Sequence, residues 1–440
     1  MKNIFIIHTH DSGKLFSPYG IAVPTPNIME FARDSITFRN CHTVSPTCSP
    51  SRGALMTGRL PHKNGLIGLA HRGFTLNSTE VHLASFLKNH GFFSVLCGIQ
   101  HEAVDCNSLG YQAVLGELTY DMGSPYNDMT AFDYMNANSL ASFLNSYDKE
   151  KPLFVSMGFY NTHRVFPTDY ISIDPNYLSL PNNIFDNEAN RKDMAGFQQS
   201  VKIVDDCFGI VIDAIKRNGF YDNSIIIFTT DHGPAFPRMK CTLFDGGTGV
   251  ALIIHDEEIK DGIKICDDLI SNIDIFPTIC NLLSITPPNE LDGISFITNN
   301  RVNSHRTEIY GEINYHASYQ PQRSIRTERY KYIKDFNPNR NQILSNIDEC
   351  PEKKFLIENG IREINTDTEE LYDLFFDPNE QNNLANDLRY RNIVIDLNQK
   401  LIQWMKITDD PLIVEHKVPR PINSLVNKQT CEDPGIPDWE

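Results

Sequence analysis

The chain has no excess of positive charge: 39 Lys and Arg stand against 56 Asp and Glu, a net charge of -17. Nucleic-acid surfaces hold phosphates through clustered Lys and Arg, so that class of partner is excluded. No apolar run approaches the roughly 20 residues of a membrane span, so no membrane partner is expected. The opening segment MKNIFIIHTHDSG holds an apolar run too short for a signal-peptide core, and no small-residue cleavage site follows it. The ten cysteines include no CxxC pair and form no regular framework. In a chain this long they read as reduced thiols, which points to a cytoplasmic setting. Internal repeats and low-complexity tracts are also missing.

What is present is an ordinary globular balance, 40% hydrophobic and 22% charged. The 440 residues exceed one compact core, so a large domain over 1–300 and a smaller one over 301–440 are expected. Short runs rich in Ile, Val and Phe read as buried strands: Asn3 to Ile7, Phe92 to Leu96, Leu153 to Phe159, Ser224 to Phe228 and Val250 to Ile254. Helical patterns lie between them, at Glu80 to Asn89, Ala131 to Tyr147, Asp193 to Asn218 and Ile273 to Leu283. Alternating strands and helices imply an α/β fold, with a mixed, mainly parallel sheet between helices. Beyond residue 300 the polar stretch Asn299 to Asn365 shows one strand-like piece, Tyr330 to Ile333. A helix over Tyr390 to Met405 and an irregular tail from Pro411 complete a smaller α+β domain with an antiparallel sheet.

The residues after the strands are the informative ones. His8, His10 and Asp11 follow the first, His101 the second, His163 and Arg164 the third, Asp231 and His232 the fourth. In open α/β sheets ligands bind at the carboxyl ends of the strands, so these side chains are expected to share one site. Elsewhere, Pro50 suits the first turn of a helix that Ser51 to Met56 continue, which sets Cys48 just ahead of a helix N-terminus, where anions are favoured. Arg52 follows one turn later, with its charge able to reach back toward position 48. On these residues alone, an inert structural cysteine is an equal reading.

The segment Cys48-Ser49-Pro50-Ser51-Arg52, followed by Thr57-Gly58, resembles the sulfatase signature C-x-P-S-R…T-G. The resemblance runs along the chain. His10-Asp11-Ser12-Gly13 is similar to the family's Asp-Asp-x-Gly metal turn, and Asp231-His232-Gly233 to its second metal segment. Lys240 matches the family's lysine loop, Ser271 to Leu283 with Leu291-Asp292-Gly293 the closing helix and turn, and Glu370-Leu371-Tyr372-Asp373-Leu374 a late family motif. The resemblance implies an alkaline-phosphatase-like fold and a sulfuric ester hydrolase. It also implies that a separate maturation enzyme oxidises Cys48 to formylglycine. In that scheme one oxygen of the hydrated aldehyde attacks sulfur, and the other expels sulfate by collapsing back to the aldehyde, a step closed to a plain thiol.

The implied metal ligands are Asp11, Asp231, His232 and position 48, with His10 where the family has an aspartate. Calcium follows from the resemblance, while the imidazoles of His10 and His232 make manganese or zinc the alternatives; His10 binding substrate is a further option. His163 and His101 match the family's substrate-side histidines, suited to protonating a leaving group, and Lys240 a sulfuryl contact. Ile99 stands where the family has a second lysine, so Arg164 or His62 is the expected substitute cation. Arg164 could otherwise pair a uronate carboxylate or an ordinary acidic neighbour, and Arg323 and Arg326 are candidate rim contacts. His42, His71, His82 and His90 lack such context and read as surface or packing residues. The expected substrate is a small anionic sulfated saccharide. The alternatives are a sulfamidase acting on N-sulfoglucosamine, a phosphonate or phosphate-diester hydrolase, and a sugar-binding homologue without activity.

Overall fold

The computed structural model describes every residue except 117–128, 171, 260–261, 305 and 437. Its large sheet is built on β1 (Asn3–Thr9), which is buried along its whole length. Side chains of a strand alternate between faces, so Phe5 and Ile7 enter one hydrophobic layer and Ile4 and Ile6 the other. The remaining strands are β2 (Ile36–Phe38), β3 (Phe93–Gly98), β4 (Ala113–Leu115), β5 (Leu153–Gly158), β6 (Ser224–Thr230), β7 (Leu252–His255) and β8 (Ile265–Cys266). Their order is β4-β3-β5-β1-β6-β7-β2-β8. β1 is parallel to β5 and β6, and β7 is antiparallel to β6 and β2. The sheet is therefore mixed and mainly parallel.

Helices cover both faces. They are α1 (Pro26–Arg33), α2 (Cys48–Thr57), α3 (Leu83–Asn89), α4 (Thr130–Ser146), α5 (Glu188–Arg217) and α6 (Ile275–Leu282). α1, α4 and α5 pack on the Phe5 face, while α2, α3 and α6 pack on the Ile4 face. Their ends differ from the sequence expectation for local reasons. α5 starts at Glu188 because the Asn187 side chain caps it, accepting from Asn190 N–H. α3 starts only at Leu83, capped by His82. α2 includes Cys48 itself, with Thr47 extended before it at φ -136° and ψ 145°.

The second sheet is an antiparallel meander of β9 (Glu308–Tyr315), β10 (Tyr319–Thr327), β11 (Tyr330–Asp335) and β12 (Glu369–Asp373). Helices α7 (Pro351–Glu358) and α8 (Arg391–Ile407) accompany it. Only β11 had an apolar signature; β9 and β10 were illegible because they bury Glu312, Asn314, Arg323 and Arg326. Those charges are paired, which makes their burial tolerable but hides the alternation that marks a strand. Leu397, Leu401 and Met405 of α8 share a core with Tyr315, Ile325 and Tyr332 of this sheet, and with Leu66, Ala70 and Phe74 of the loop after α2. That shared core seats the second sheet beside the α2 end of the first.

Candidate active site

Four parallel strands of the large sheet end on one edge, and α2 begins there. Their loops are laced together: Asp11 N–H donates to Asp231 Oδ1 at 2.9 Å, Gly13 N–H to His232 O at 2.8 Å and Thr162 N–H to His10 O at 2.8 Å. Gly98 allows β3 to turn toward His101, since its φ is +73° and a Cβ there would lie 2.1 Å from Gly158 O.

One ligand atom each from His10, Asp11, Cys48, Asp231 and His232 falls within 4.8 Å of every other, and all five residues are buried. His10 Nδ1 stands 2.9 Å from Asp11 Oδ1 and 3.1 Å from Asp231 Oδ2. His232 Nδ1 lies 2.9 Å from the Gly233 carbonyl, which accepts, so the proton sits on Nδ1. The bare Nε2 then faces Cys48 Sγ at 3.4 Å and Asp11 Oδ1 at 3.3 Å. Burial alone would raise both carboxyls. Lys240 and three histidines reverse this for Asp11, and His232 and Arg52 for Asp231, holding each well below the usual carboxylate range. Two carboxylates and two imidazoles converging in a dry pocket fit a divalent cation. Burial pushes the Cys48 thiol well above its ordinary range, with Lys240 opposing.

Around this cluster stand the groups expected to meet substrate. Lys240 Nζ lies 2.8 Å from Asp11 Oδ2 and 3.5 Å from His163 Nε2. His163 Nδ1 is 2.6 Å from the Arg164 carbonyl and so carries the proton, leaving Nε2 to accept from Lys240. Burial and the lysine charge lower His163 to about 4, which keeps it neutral. His10 Nε2 meets His101 Nδ1 at 3.2 Å. Arg52 is held on Asp231 of the same cluster. Its Nε and Nη2 bind Asp231 Oδ2 at 3.2 and 3.1 Å, and its Nη1 donates to His8 Nδ1 at 2.7 Å, so its charge is spent on a candidate ligand.

Other expected residues are elsewhere. His62 is buried against Glu312 Oε1 at 3.0 Å and the Thr408 carbonyl at 3.2 Å, outside the cluster. Arg164 makes a two-pronged pair with Asp193 at 2.7 and 2.6 Å. Arg323 and Arg326 are not rim contacts: the first is fully buried on Asp410 at 2.5 Å, the second pairs Asp245 at 3.0 Å. The site also gains residues that no motif announced. His71 has its ring centroid 6.4 Å from that of His101. Asp348, between β11 and α7, reaches Lys240 Nζ at 3.2 Å. His316, in the turn between β9 and β10, interacts electrostatically with Lys240 and Asp348. Both come from loops of the second sheet, and nothing local in their sequence marks them.

The sequence model of the family described as Sulfatase matches residues 2–285. The chain belongs to the sulfatase family. A second model, described as N-sulphoglucosamine sulphohydrolase, C-terminal, matches residues 240–359. An ulvan-active sulfatase of Formosa agariphila is 25% identical over 97% of this chain and 78% of its own length. The human N-sulphoglucosamine sulphohydrolase is 24% identical over 94% of this chain and 91% of its own. Among solved structures, a 2-O GAG sulfatase superposes with a TM-score of 0.74 at 23% identity, covering 94% of this chain and 93% of that one. The fold is thus the sulfatase fold, and this sulfatase is a sulfuric ester hydrolase. Among the described residues, no helix is long and apolar enough to cross a membrane.

Proposed function

We propose that this sulfatase releases inorganic sulfate from a small sulfated saccharide. The observation that carries the proposal is the single buried point shared by Cys48, Asp11, Asp231, His232 and His10, with Lys240 beside it. Cys48 is the position to be oxidised by a maturation enzyme, because a buried, protonated thiol is a poor nucleophile and cannot expel sulfate by carbonyl collapse. His10, Asp11, Asp231 and His232 would hold the divalent ion, which when bound supplies positive charge to the sulfuryl oxygens. Two imidazoles in that set favour manganese or zinc over calcium. Arg52 holds Asp231 in place, and Lys240 binds a sulfuryl oxygen. His163, bare at Nε2, accepts a hydrogen bond and orients Lys240. His101, with Nδ1 accepting from His10 and its proton on Nε2, donates a hydrogen bond to the leaving oxygen. The ten cysteines, all buried and without a disulfide, support a cytoplasmic setting.

A second reading is supported by the match to the N-sulphoglucosamine sulphohydrolase C-terminal model and by the human relative. In it the bond cleaved is N–S and the product is a free amine. The test has two parts. Peptide mass spectrometry across Cys48, on protein made with a maturation enzyme, should find the aldehyde. Ion chromatography should then find sulfate released from sulfated mono- and disaccharides; a bare thiol with full turnover would refute the assignment.

A further inference from the structure

An arginine withdrawn from water is ordinarily met by a carboxylate. Around this site most are: Arg52 by Asp231 at 3.1 Å, Arg164 by Asp193 at 2.7 and 2.6 Å, and Arg326 by Asp245 at 3.0 Å. Arg238 is in no close pair, but its charge acts on the Glu370 carboxyl. Arg72 has no carboxylate partner among the described residues. It ends a single turn of helix, Ala70–Arg72, in the loop after α2. Its Nη1 donates to Asn427 Oδ1 at 2.7 Å and to the Ala317 carbonyl at 3.4 Å, and its Nη2 to the Pro434 carbonyl at 2.9 Å. All three acceptors are neutral. A guanidinium has five N–H donors, so Nε–H and one Nη2–H are left without a partner among the described residues.

The acids of the chain segment that supplies Asn427 and Pro434 are engaged elsewhere. Asp438 pairs with Lys428 at 2.6 Å, Glu432 accepts from Arg362 at 2.8 Å, and Asp433 from Gly435 N–H at 2.8 Å. Burial lowers the Arg72 pKa, and no carboxylate opposes it.

Arg72 also stands at the rim of the candidate active site. Its chain neighbour His71 is exposed and lies 6.4 Å, centroid to centroid, from His101, which in turn meets His10 Nε2 at 3.2 Å. The Ala317 carbonyl that Arg72 binds follows His316, and the arginine charge is felt at both His71 and His316. Trp439 lies against the guanidinium, with its ring centroid 5.6 Å from Cζ, and keeps 40% of its surface exposed. A backbone bridge to Asn427 holds Trp439 there. A half-buried cation beside an exposed aromatic ring suits an anionic sugar, whose oxyanion takes the N–H groups and whose apolar ring face meets the indole.

We propose that Arg72, with Trp439 beside it, is an outer subsite for a second anionic group on the substrate, a carboxylate or a further sulfate of the same saccharide. This deepens the saccharide assignment above and rests on it. The ligand then supplies the counter-charge that the protein withholds, and the two open N–H groups donate to its oxygens. A sugar with one sulfate leaves that charge unmet and binds more weakly.

Binding can be read without turnover by calorimetric titration of the Cys48→Ala protein. The titrants are N-acetylglucosamine 6-sulfate, with one anionic group; N-sulfoglucosamine 6-sulfate, which adds a sulfate; and a uronyl N-acetylglucosamine 6-sulfate disaccharide, which adds a carboxylate. At least one of the last two should bind tenfold or more tightly than the first, and which one does so identifies the group. Arg72→Gln in the same background should cut that advantage to within threefold and leave the monosulfate within twofold of its parent value. Should this variant not fold, phenylglyoxal labelling of Arg72 in the parent, read by peptide mass spectrometry, decides: the favoured sugar should block it and the monosulfate should not. No binding, no advantage for either doubly charged sugar, an advantage that survives in the variant, an equal loss for all three, or labelling indifferent to the sugar overturns the proposal. Failure of the hydrolase reading would show separately, as matured protein that releases no sulfate yet keeps the advantage.

Discussion

His10 Nε2 stands 3.2 Å from His101 Nδ1, while the other nitrogen of His10 points at Asp11 and Asp231. One imidazole thus joins the candidate metal cluster to a substrate-side histidine, a link that an aspartate at position 10 would be too short to make. The departure from the family pattern at this residue is therefore matched by its neighbours.

His10 should set the metal preference. Dialysed against equal calcium, manganese and zinc, the protein is expected to retain a transition metal, because imidazole is a poor calcium ligand. His10→Asp restores an all-oxygen turn and should move the retained metal toward calcium. Elemental analysis after desalting reads the result, and an unchanged metal in the variant would count against His10 as a ligand.

Asp231→Ala should lose bound metal and destabilise the fold together. Arg52 is 2% exposed and would be left buried without its carboxylate. Breaking such a pair from one side costs about 3–5 kcal/mol. Urea unfolding of the two proteins reads the difference. A variant as stable as its parent would show that Arg52 finds another partner.

Arg323→Ala should act on stability and not on substrate. Arg323, Glu312 and Asp410 are all fully buried, and the arginine pairs closely with Asp410 and more distantly with Glu312. Its removal should cost about 3–5 kcal/mol, with KM for a sulfated sugar within twofold of the parent. A large KM change with an unaltered melting temperature would restore it as a substrate contact.

The pair of Glu312 and His62 should leave a signature in acid. Burial works to raise the Glu312 carboxyl, but His62 and Arg323 outweigh it and bring it down to about 2. A depressed carboxyl stabilises the fold above its unfolded value, near 4.5, and loses that contribution as pH falls through the folded value. Stability should therefore drop between about pH 4.5 and 2, by on the order of 3 kcal/mol. Glu312→Gln should flatten that part of a urea-unfolding profile; an equally steep profile would assign the acid sensitivity to other groups.

Five strands of the large sheet were legible because they are apolar runs, four of them leading into a His or Asp; the two- and three-residue strands β2, β4 and β8 were too short to show a pattern. β1 shows both features within ten residues. Cys48 was legible for another reason, a motif in which five adjacent residues carry the pattern. β9 and β10 were not legible, since their inward positions hold Glu312 and Arg323, whose burial makes sense only once each has found its partner. Arg164, Arg323 and Arg326 look alike in sequence as available cations. Asp193, Asp410 and Asp245 consume them, and those partners lie 29, 87 and 81 residues away.

By itself the sequence determined which residues leave the sheet at its carboxyl edge and that Cys48 stands at a helix start; that the two meet is a property of the tertiary structure. Strand polarity and helix starts are local properties, so they survive in a linear reading. Tertiary structure alone decided which charges remain available to a substrate. Asp348 reaches Lys240 across 108 positions of chain because the core shared by α8, the second sheet and the loop after α2 brings them together. Electrostatic availability depends on distance in space, and no spacing along the chain encodes it.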